Sequence, residues 1–244
     1  MPKLITVLGA TGGQGGSVAR SLLANTSAAF KVRAVTRNPN SIAAKELAAA
    51  GAEVVKADSL NKGSIASAFE DSWALHVKNG PTETVVGKMI VDAAFESRVK
   101  HVVYSGLASA TEVSNGKVPN LTFDEKNAIY QYGKSKGFAS FTAAAPGEYM
   151  ENFTIEAIAP VFGGFPFQED EAGFLTYRAP AWGGSGEIPY LGLKDDYGDI
   201  VHGVFLSPDE YNAEFLQVFS CSTRPEDVTV TYEKVENFLV GSIL

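Results

Sequence analysis

Read for its apolar and polar positions, the chain alternates between short β-type runs and helix-period stretches from its first residues. Residues 3–8 form a compact apolar run, and a helix pattern covers 15–24. A second run, 32–36, precedes an alanine-rich helical stretch over 41–50 that closes at Gly51, a good C-cap position. A strand over 53–56, a short helix over 62–69 and a strand over 73–77 follow. The next stretch, 82–96, has Val85, Val86, Met89, Ile90 and Ala93 at helical spacing. Residues 99–104 read as strand, 124–136 as a helix ending at Gly137, and 138–144 as the sixth strand. This order predicts an α/β fold, a parallel sheet with helices on both faces. Right-handed crossovers make it doubly wound, of Rossmann type. No repeat and no low-complexity linker interrupts it.

After Pro146 the alternation breaks down. Over residues 160–192, Gly163-Gly164, Gly183-Gly184 and several prolines are interleaved with aromatics such as Phe162, Phe165, Tyr177, Trp182 and Tyr190. The stretch reads equally as a small loop-rich substrate lobe and as a satellite core under long loops. Asp195-Asp196-Tyr197-Gly198-Asp199 then opens a helix, with Asp196 the expected N-cap. The expected division is a dinucleotide-binding domain over 1–150 and a smaller substrate or partner lobe over 151–244, part of which returns to the core.

Bulk composition narrows the chemistry. A net charge of −8 in 244 residues argues against direct nucleic-acid binding and against acidic membranes, both of which need a basic face. The single cysteine, Cys221, forms no internal disulfide, and three scattered histidines signal no metal site. The start shows no signal-peptide pattern, and no apolar run is long enough to span a bilayer. The expectation is a cytoplasmic or nuclear protein, with the sequons at Asn25, Asn120 and Asn152 fortuitous.

The chemistry-bearing motif is Gly9-Ala10-Thr11-Gly12-Gly13-Gln14-Gly15, set between the first strand and the first helix. Gly9 makes the tight turn, Gly12 lets the backbone approach a pyrophosphate, and Gly15 lets the helix pack on the strand. The helix start then offers unpaired N–H groups to the anion, and Thr11 and Gln14 can add side-chain bonds. The second strand ends Ala34-Val35-Thr36-Arg37-Asn38, with no acid where NAD sites place one. An arginine there can fork onto a 2′-phosphate, so the expected dinucleotide is NADP(H); the competing reading is a solvated surface arginine. Asp58 suits an adenine-edge acceptor and a helix cap equally.

Several of these runs together resemble one family. They are Gly9-Ala-Thr-Gly-Gly-Gln-Gly-Gly-Ser-Val-Ala-Arg20, Val32-Arg-Ala-Val-Thr-Arg-Asn-Pro39, Gly51-Ala-Glu-Val-Val-Lys-Ala-Asp58, Val99-Lys-His-Val-Val-Tyr-Ser-Gly-Leu107 and Pro146-Gly-Glu-Tyr-Met-Glu-Asn-Phe153. In order and spacing, over roughly residues 3–210, the chain resembles NmrA-like proteins, an atypical branch of the short-chain dehydrogenase/reductase superfamily. The resemblance implies an NADP-binding fold and either a redox-sensing regulator or a reductase of quinone- or isoflavone-reductase type. It puts Thr11, Gly12, Gln14 and Gly15 on the pyrophosphate, Arg37 on the 2′-phosphate and Asp58 at the adenine. It puts Lys78-Asn79 near the nicotinamide ribose, Ser105 at the end of the fifth strand, Lys126 beside the nicotinamide and Gly147-Glu148-Tyr149 near its carboxamide. Two departures stand out. Ala145 replaces an arginine before the Pro-Gly, and the tail after about Tyr211 looks short, without a clear further helix–strand unit.

Tyr132-Gly-Lys-Ser-Lys136 matches the Tyr-x-x-x-Lys pattern of the superfamily's reductases. Its position argues that it is a decoy. A helix after the fifth strand starts at the cofactor edge and runs away from it, so Lys136 falls at the far end. Lys126 lies ten residues earlier, about 15 Å nearer the cofactor. Four residues before Lys126 stands Thr122, so the usual phenol is missing. Either Lys126, made a useful acid by desolvation, acts as proton donor, or it only holds the ribose. Ser105 can orient a carbonyl, and Tyr149 is a spare phenol. Tyr104 reads as packing, His101 as structural, His202 as without a role and His76 as ambiguous. The sequence leans narrowly to a regulator whose NADP(H) state alters its contacts with a protein partner. The alternative is an NADPH-dependent reductase of a quinone, enone or small aromatic substrate.

Overall fold

The apolar runs become strands that are buried on both faces, which is why they read as continuous Val, Ile, Ala and Leu rather than as an alternation. The structure, a computed structural model, describes residues 2–25, 30–77, 83–179 and 185–227. The order begins β1 (Lys3–Leu8), α1 (Gly13–Ala24), β2 (Phe30–Thr36), α2 (Ile42–Ala49), β3 (Glu53–Lys56), α3 (Lys62–Ala68), β4 (Ala74–Val77) and α4 (Glu83–Glu96). It continues β5 (His101–Tyr104), α5 (Ala110–Val113), α6 (Leu121–Lys134), β6 (Ser140–Pro146) and β7 (Glu148–Tyr149). Two 3₁₀ stretches, Met150–Thr154 and Glu156–Phe162, precede β8 (Ile188–Leu191), α7 (Tyr197–Leu206), β9 (Phe215–Val218) and β10 (Cys221–Thr223).

Among the described residues the main sheet has the order β3-β2-β1-β4-β5-β6-β9, with every pairing parallel. The strand order reverses between β1 and β4, so the crevice expected of a doubly wound sheet lies at the carboxyl ends of these two strands. Side chains alternate across the sheet. Ile5, Val7, Val32, Ala34, Ala74 and Val103 pack with α1 and α7 on one face. Leu8, Val35, Leu75, Val102 and Tyr104 pack with α3, α4 and α6 on the other. A small second sheet, β10-β8-β7, sits at the exit of β6.

Local chemistry sets the boundaries. Ser41 caps α2 by accepting from Ala44 N at 3.3 Å, a contact worth about 1 kcal/mol. The helix expected over 124–136 begins three residues earlier, because Asn120 supplies the cap, accepting from Phe123 N at 3.4 Å. Asp124 instead gathers four donors. Its carboxylate accepts from Ser109 Oγ (2.8 Å), Thr111 N (2.9 Å), Thr111 Oγ1 (2.6 Å) and Asn120 N (3.2 Å), which ties α5 onto α6. Asp196 precedes α7 but does not cap it with its side chain. Its carboxylate takes the Ser220 hydroxyl instead.

The helix expected to open near Asp196 is α7, and beyond Tyr211 the described residues add β9, a strand the sequence did not mark. β9 adds a seventh strand beside β6, and α7 packs on α1, where Gly198 N donates to Ser17 Oγ at 2.9 Å. Four residues, Phe215-Leu216-Gln217-Val218, are too short a run to declare a strand without the β6 edge they complete. In the intervening segment, Phe153, Phe162, Phe165, Tyr177 and Tyr190 pack ring against ring, with centroids 5.1–6.1 Å apart. Those five rings make a satellite core, while Phe167 and Phe174 stay exposed. Trp182 and Gly183-Gly184 lie outside the described residues.

Candidate functional site

The site grows from the end of β1. Gly9 turns the chain with φ +64°, a left-handed conformation that favours glycine. Its carbonyl accepts from Gly12 N at 2.9 Å, and Ala10 N donates to Val35 O at 3.1 Å. At Gly15 a Cβ would lie 2.7 Å from the Gly9 carbonyl carbon, 2.9 Å from the Leu8 carbonyl oxygen and closer still to the Gly9 carbonyl oxygen. Only a hydrogen there lets α1 sit on β1. Gly12, the N-cap, contributes no side-chain bond, and no acid stands in the first turn. The first-turn N–H groups therefore remain for an acceptor from outside. This uncapped, uncrowded turn fits a diphosphate.

Thr11 braces the loop: its Oγ1 lies 3.1 Å from Thr36 Oγ1, which also accepts from Asn38 N at 3.2 Å. Arg37 follows directly, exposed and without a hydrogen bond or ion pair among the described residues. Asp58 is exposed as well. It forms a local turn, accepting from Leu60 N at 3.1 Å, while Asn61 caps α3. Asp58 is therefore not the helix cap that the sequence allowed. A cleft of about 470 Å³ opens beside the loop, lined by Thr11, Gly12, Gly13, Arg20, Lys194 and Asp195. Lys194 is brought there by Glu151, whose carboxylate accepts from Leu193 N (3.0 Å) and Lys194 N (2.8 Å). No spacing rule in the sequence marks Arg20 or Lys194 as neighbours.

Gln14 departs from its expected part. Its side chain is buried and turned away from the loop, toward the ends of β5 and β7. Nε2 donates to Ser105 Oγ at 3.0 Å and to Tyr149 Oη at 2.7 Å, while Oε1 is buried without a partner among the described residues. Two of the three expected catalytic residues, Ser105 and Tyr149, thus meet on one amide. Because Gln14 donates to the phenol oxygen, the phenol's own proton is left over. No acceptor for it exists among the described residues. Burial, helped by the Glu148 and Glu151 carboxylates, pushes the Tyr149 phenol up to about 12. Behind this cluster, Tyr197 of α7 is fully buried, its Oη 3.4 Å from His76 Nε2. Burial raises the Tyr197 phenol, against the opposing effect of the Ser105 hydroxyl. Gly147 packs against β8, and its N–H is committed to Val218 O at 2.8 Å.

Lys126 stands apart from that cluster. Its Nζ is 2.7 Å from Glu83 Oε1, with both side chains largely buried. The sequence treated Lys126 as a lone desolvated ammonium; the fold sets a carboxylate against it. Glu83 was missed because an acid in a first helical turn reads as a partner of the helix dipole. Nothing in the sequence pairs it with a residue 43 positions away. Lys78 and Asn79 lie outside the described residues.

The expected decoy is tied up elsewhere. Tyr132 Oη donates to Asp92 at 2.8 Å and Lys136, just beyond α6, pairs with the same carboxylate at 2.6 Å, at the C-terminal ends of α4 and α6. His101 bonds Ser140 Oγ at 2.9 Å and lies against Trp73, and His202 sits between Ser21 and Asn25. Among the described residues no group of His, Cys, Asp and Glu could hold a metal, and no helix is long and apolar enough to cross a membrane.

Comparison with known proteins places this geometry. An NmrA-like family domain-containing oxidoreductase of Cladobotryum sp. is 44% identical over 250 aligned residues, covering 96% of this chain and 74% of that protein. Another from Aspergillus flavus is 44% identical over 245, covering 96% and 73%. Among solved structures, NmrA, a negative transcriptional regulator, superposes with TM-score 0.77 at 23% identity, over 93% of this chain and 69% of that one. NmrA has also been solved in complex with NAD and with NADP. The NmrA-like family model matches residues 1–240. With that match and those relatives, the chain belongs to the NmrA-like family.

Proposed function

We propose that this protein is an NADP(H)-dependent reductase of a small quinone, enone or aromatic carbonyl compound. The observation that carries the reading is the meeting of Ser105 and Tyr149 on the Gln14 amide, at the carboxyl edge of the sheet and beside the glycine-rich loop. The two relatives at 44% identity, both named oxidoreductases, support it. The sequence alone leaned the other way, toward a redox-sensing regulator.

In this reading the main-chain N–H groups of Gly13, Gln14 and Gly15 take the pyrophosphate, with Gly9, Gly12 and Gly15 shaping the turn and Thr11 bracing it. Arg37, exposed and unpaired among the described residues, takes the 2′-phosphate, and Asp58 faces the adenine. Lys126 serves the nicotinamide half, with Lys78, Asn79 and Gly147 at the same end. A bound reduced nicotinamide supplies a hydride to the substrate carbon. The protein's task is then to deliver a proton to the substrate oxygen. Tyr149 is the donor at hand: the phenol is protonated at neutral pH, and its O–H has no acceptor among the described residues. Ser105 orients the same oxygen. The division follows: residues 1–150 bind the dinucleotide, and 151–244 form the substrate or partner lobe, with α7 and β9 returned to the core.

The test is NADPH oxidation against a panel of quinones, enones and aldehydes, with Tyr149→Phe alongside. We expect turnover of at least one class, about 10²-fold slower in the variant, with NADPH affinity unchanged. Silence across the panel from protein that binds NADPH defeats the reductase reading. A partner pull-down that changes with NADP(H) then takes the regulator forward.

A further inference from the structure

Among the described residues four ion pairs join side chains, and in three of them at least one partner is well exposed or both are part-exposed. Only Lys126–Glu83 buries both, at 13% and 10% side-chain exposure. Removing two charges from water costs more than a surface pair recovers, so such a pair is poor evidence for stability. This one is also incomplete: Glu83 Oε2 is buried without a hydrogen-bond partner among the described residues. A pair kept for stability alone would satisfy that oxygen.

Its place in the fold is specific. Both α4 and α6 follow parallel strands of the main sheet, so both begin at the sheet's carboxyl edge, the side on which the glycine-rich loop opens. Glu83 is the first residue of α4, where the helix dipole favours a carboxylate. Lys126 lies about 7.5 Å into α6. The acid thus holds, from one helix, a flexible four-carbon ammonium that belongs to the next.

We propose that Glu83 is a positioning residue for the nicotinamide half of the dinucleotide, fixing the Lys126 ammonium where the ligand meets it. The inference rests on the reading of Lys126 as a nicotinamide-side residue. Glu83 touches no ligand itself; it acts through Lys126.

Two ligands separate this role from a merely structural one. NADPH spans the whole site, while adenosine 2′,5′-bisphosphate fills only the adenosine half. Calorimetry on the full chain should show NADPH bound about tenfold more weakly by Glu83→Gln, and the bisphosphate within about twofold of wild type. Lys126→Met should weaken NADPH to a similar degree, and the double variant should be no weaker than Lys126→Met alone, because the acid has no other route to the ligand. If Lys126→Met leaves NADPH affinity intact, the reading of Lys126 falls. If Lys126→Met weakens NADPH and Glu83→Gln does not, the role of Glu83 falls. Equal loss of both ligands in Glu83→Gln and in the charge-keeping Glu83→Asp also overturns it, since that is the signature of a damaged fold.

Discussion

Replacing Gly15 with alanine sets two physical effects against each other. Gly15 lies in the first turn of α1, and helix propensity alone credits an alanine there with up to about 1 kcal/mol. Packing opposes it. The new Cβ would stand 2.7 Å from the Gly9 carbonyl carbon and 2.9 Å from the Leu8 carbonyl oxygen, against an ordinary carbon contact of about 3.5–4.0 Å. All the atoms it meets are main chain and cannot rotate aside, so α1 must lift from β1 by a fraction of an ångström. Overpacking of this kind reaches about 3 kcal/mol, leaving a net loss of about 2 kcal/mol. At about 2–4 °C per kcal/mol for a chain of this size, Tm should fall by about 4–8 °C. The lift also draws the first-turn amides back from the diphosphate. Losing one charge-assisted bond should weaken NADPH roughly 10–100-fold. Gly63→Ala in α3 is the control, because its Cβ meets only Asn61 Oδ1, at 3.5 Å. That variant should hold or gain stability. Thermal unfolding and calorimetric titration of both variants decide the matter. A Gly15→Ala protein that melts no lower than Gly63→Ala, with NADPH affinity intact, refutes the assignment of the loop.

Three further outcomes follow from the geometry. Arg37→Ala should cost NADPH roughly 10–100-fold in affinity, by loss of a forked phosphate contact. NADH should stay within about twofold, so equal affinities for the two nucleotides in the wild type would end the 2′-phosphate reading. Tyr132→Phe and Lys136→Ala should leave turnover unchanged and shift stability by about 1 kcal/mol or less; loss of activity in either would reinstate the Tyr-x-x-x-Lys pair. Asp124, held down to about 2 by its bonds from the Thr111 side chain and main chain and then from Ser109, should shape the acid limb of unfolding. Its carboxyl is depressed below the ordinary 3.8, so its contribution is complete above that value and is lost as pH falls through about 2. Asp124→Asn should flatten the stability–pH slope over that interval, and an unchanged slope would dismiss the clamp.

Strand runs, the glycine-rich turn and Arg37 after β2 were legible in the sequence because each is local: a period, a turn residue, a spacing along one segment. The same holds for the demotion of Tyr132 and Lys136, which needed only the direction of one helix. Boundaries were less legible where a cap competed. Asn120 and Asp124 both suit a helix start, and only the donors around Asp124, from Ser109 and Thr111, show that it is engaged elsewhere.

What tertiary structure alone decided are the meetings between distant segments. Gln14 joins Ser105 and Tyr149 across 91 and 135 positions, and Lys126 finds Glu83 across 43. Neither follows from periodicity, because a hydrogen bond or ion pair depends on where whole elements dock and not on spacing along the chain. β9 shows the same dependence in the backbone: four residues become a strand only because β6 presents an edge to pair with. By itself the chain of letters determined the doubly wound scaffold and the glycine-rich turn that opens its first helix. Packing determined which side chains face one another at its rim, and with them the chemistry proposed for the site.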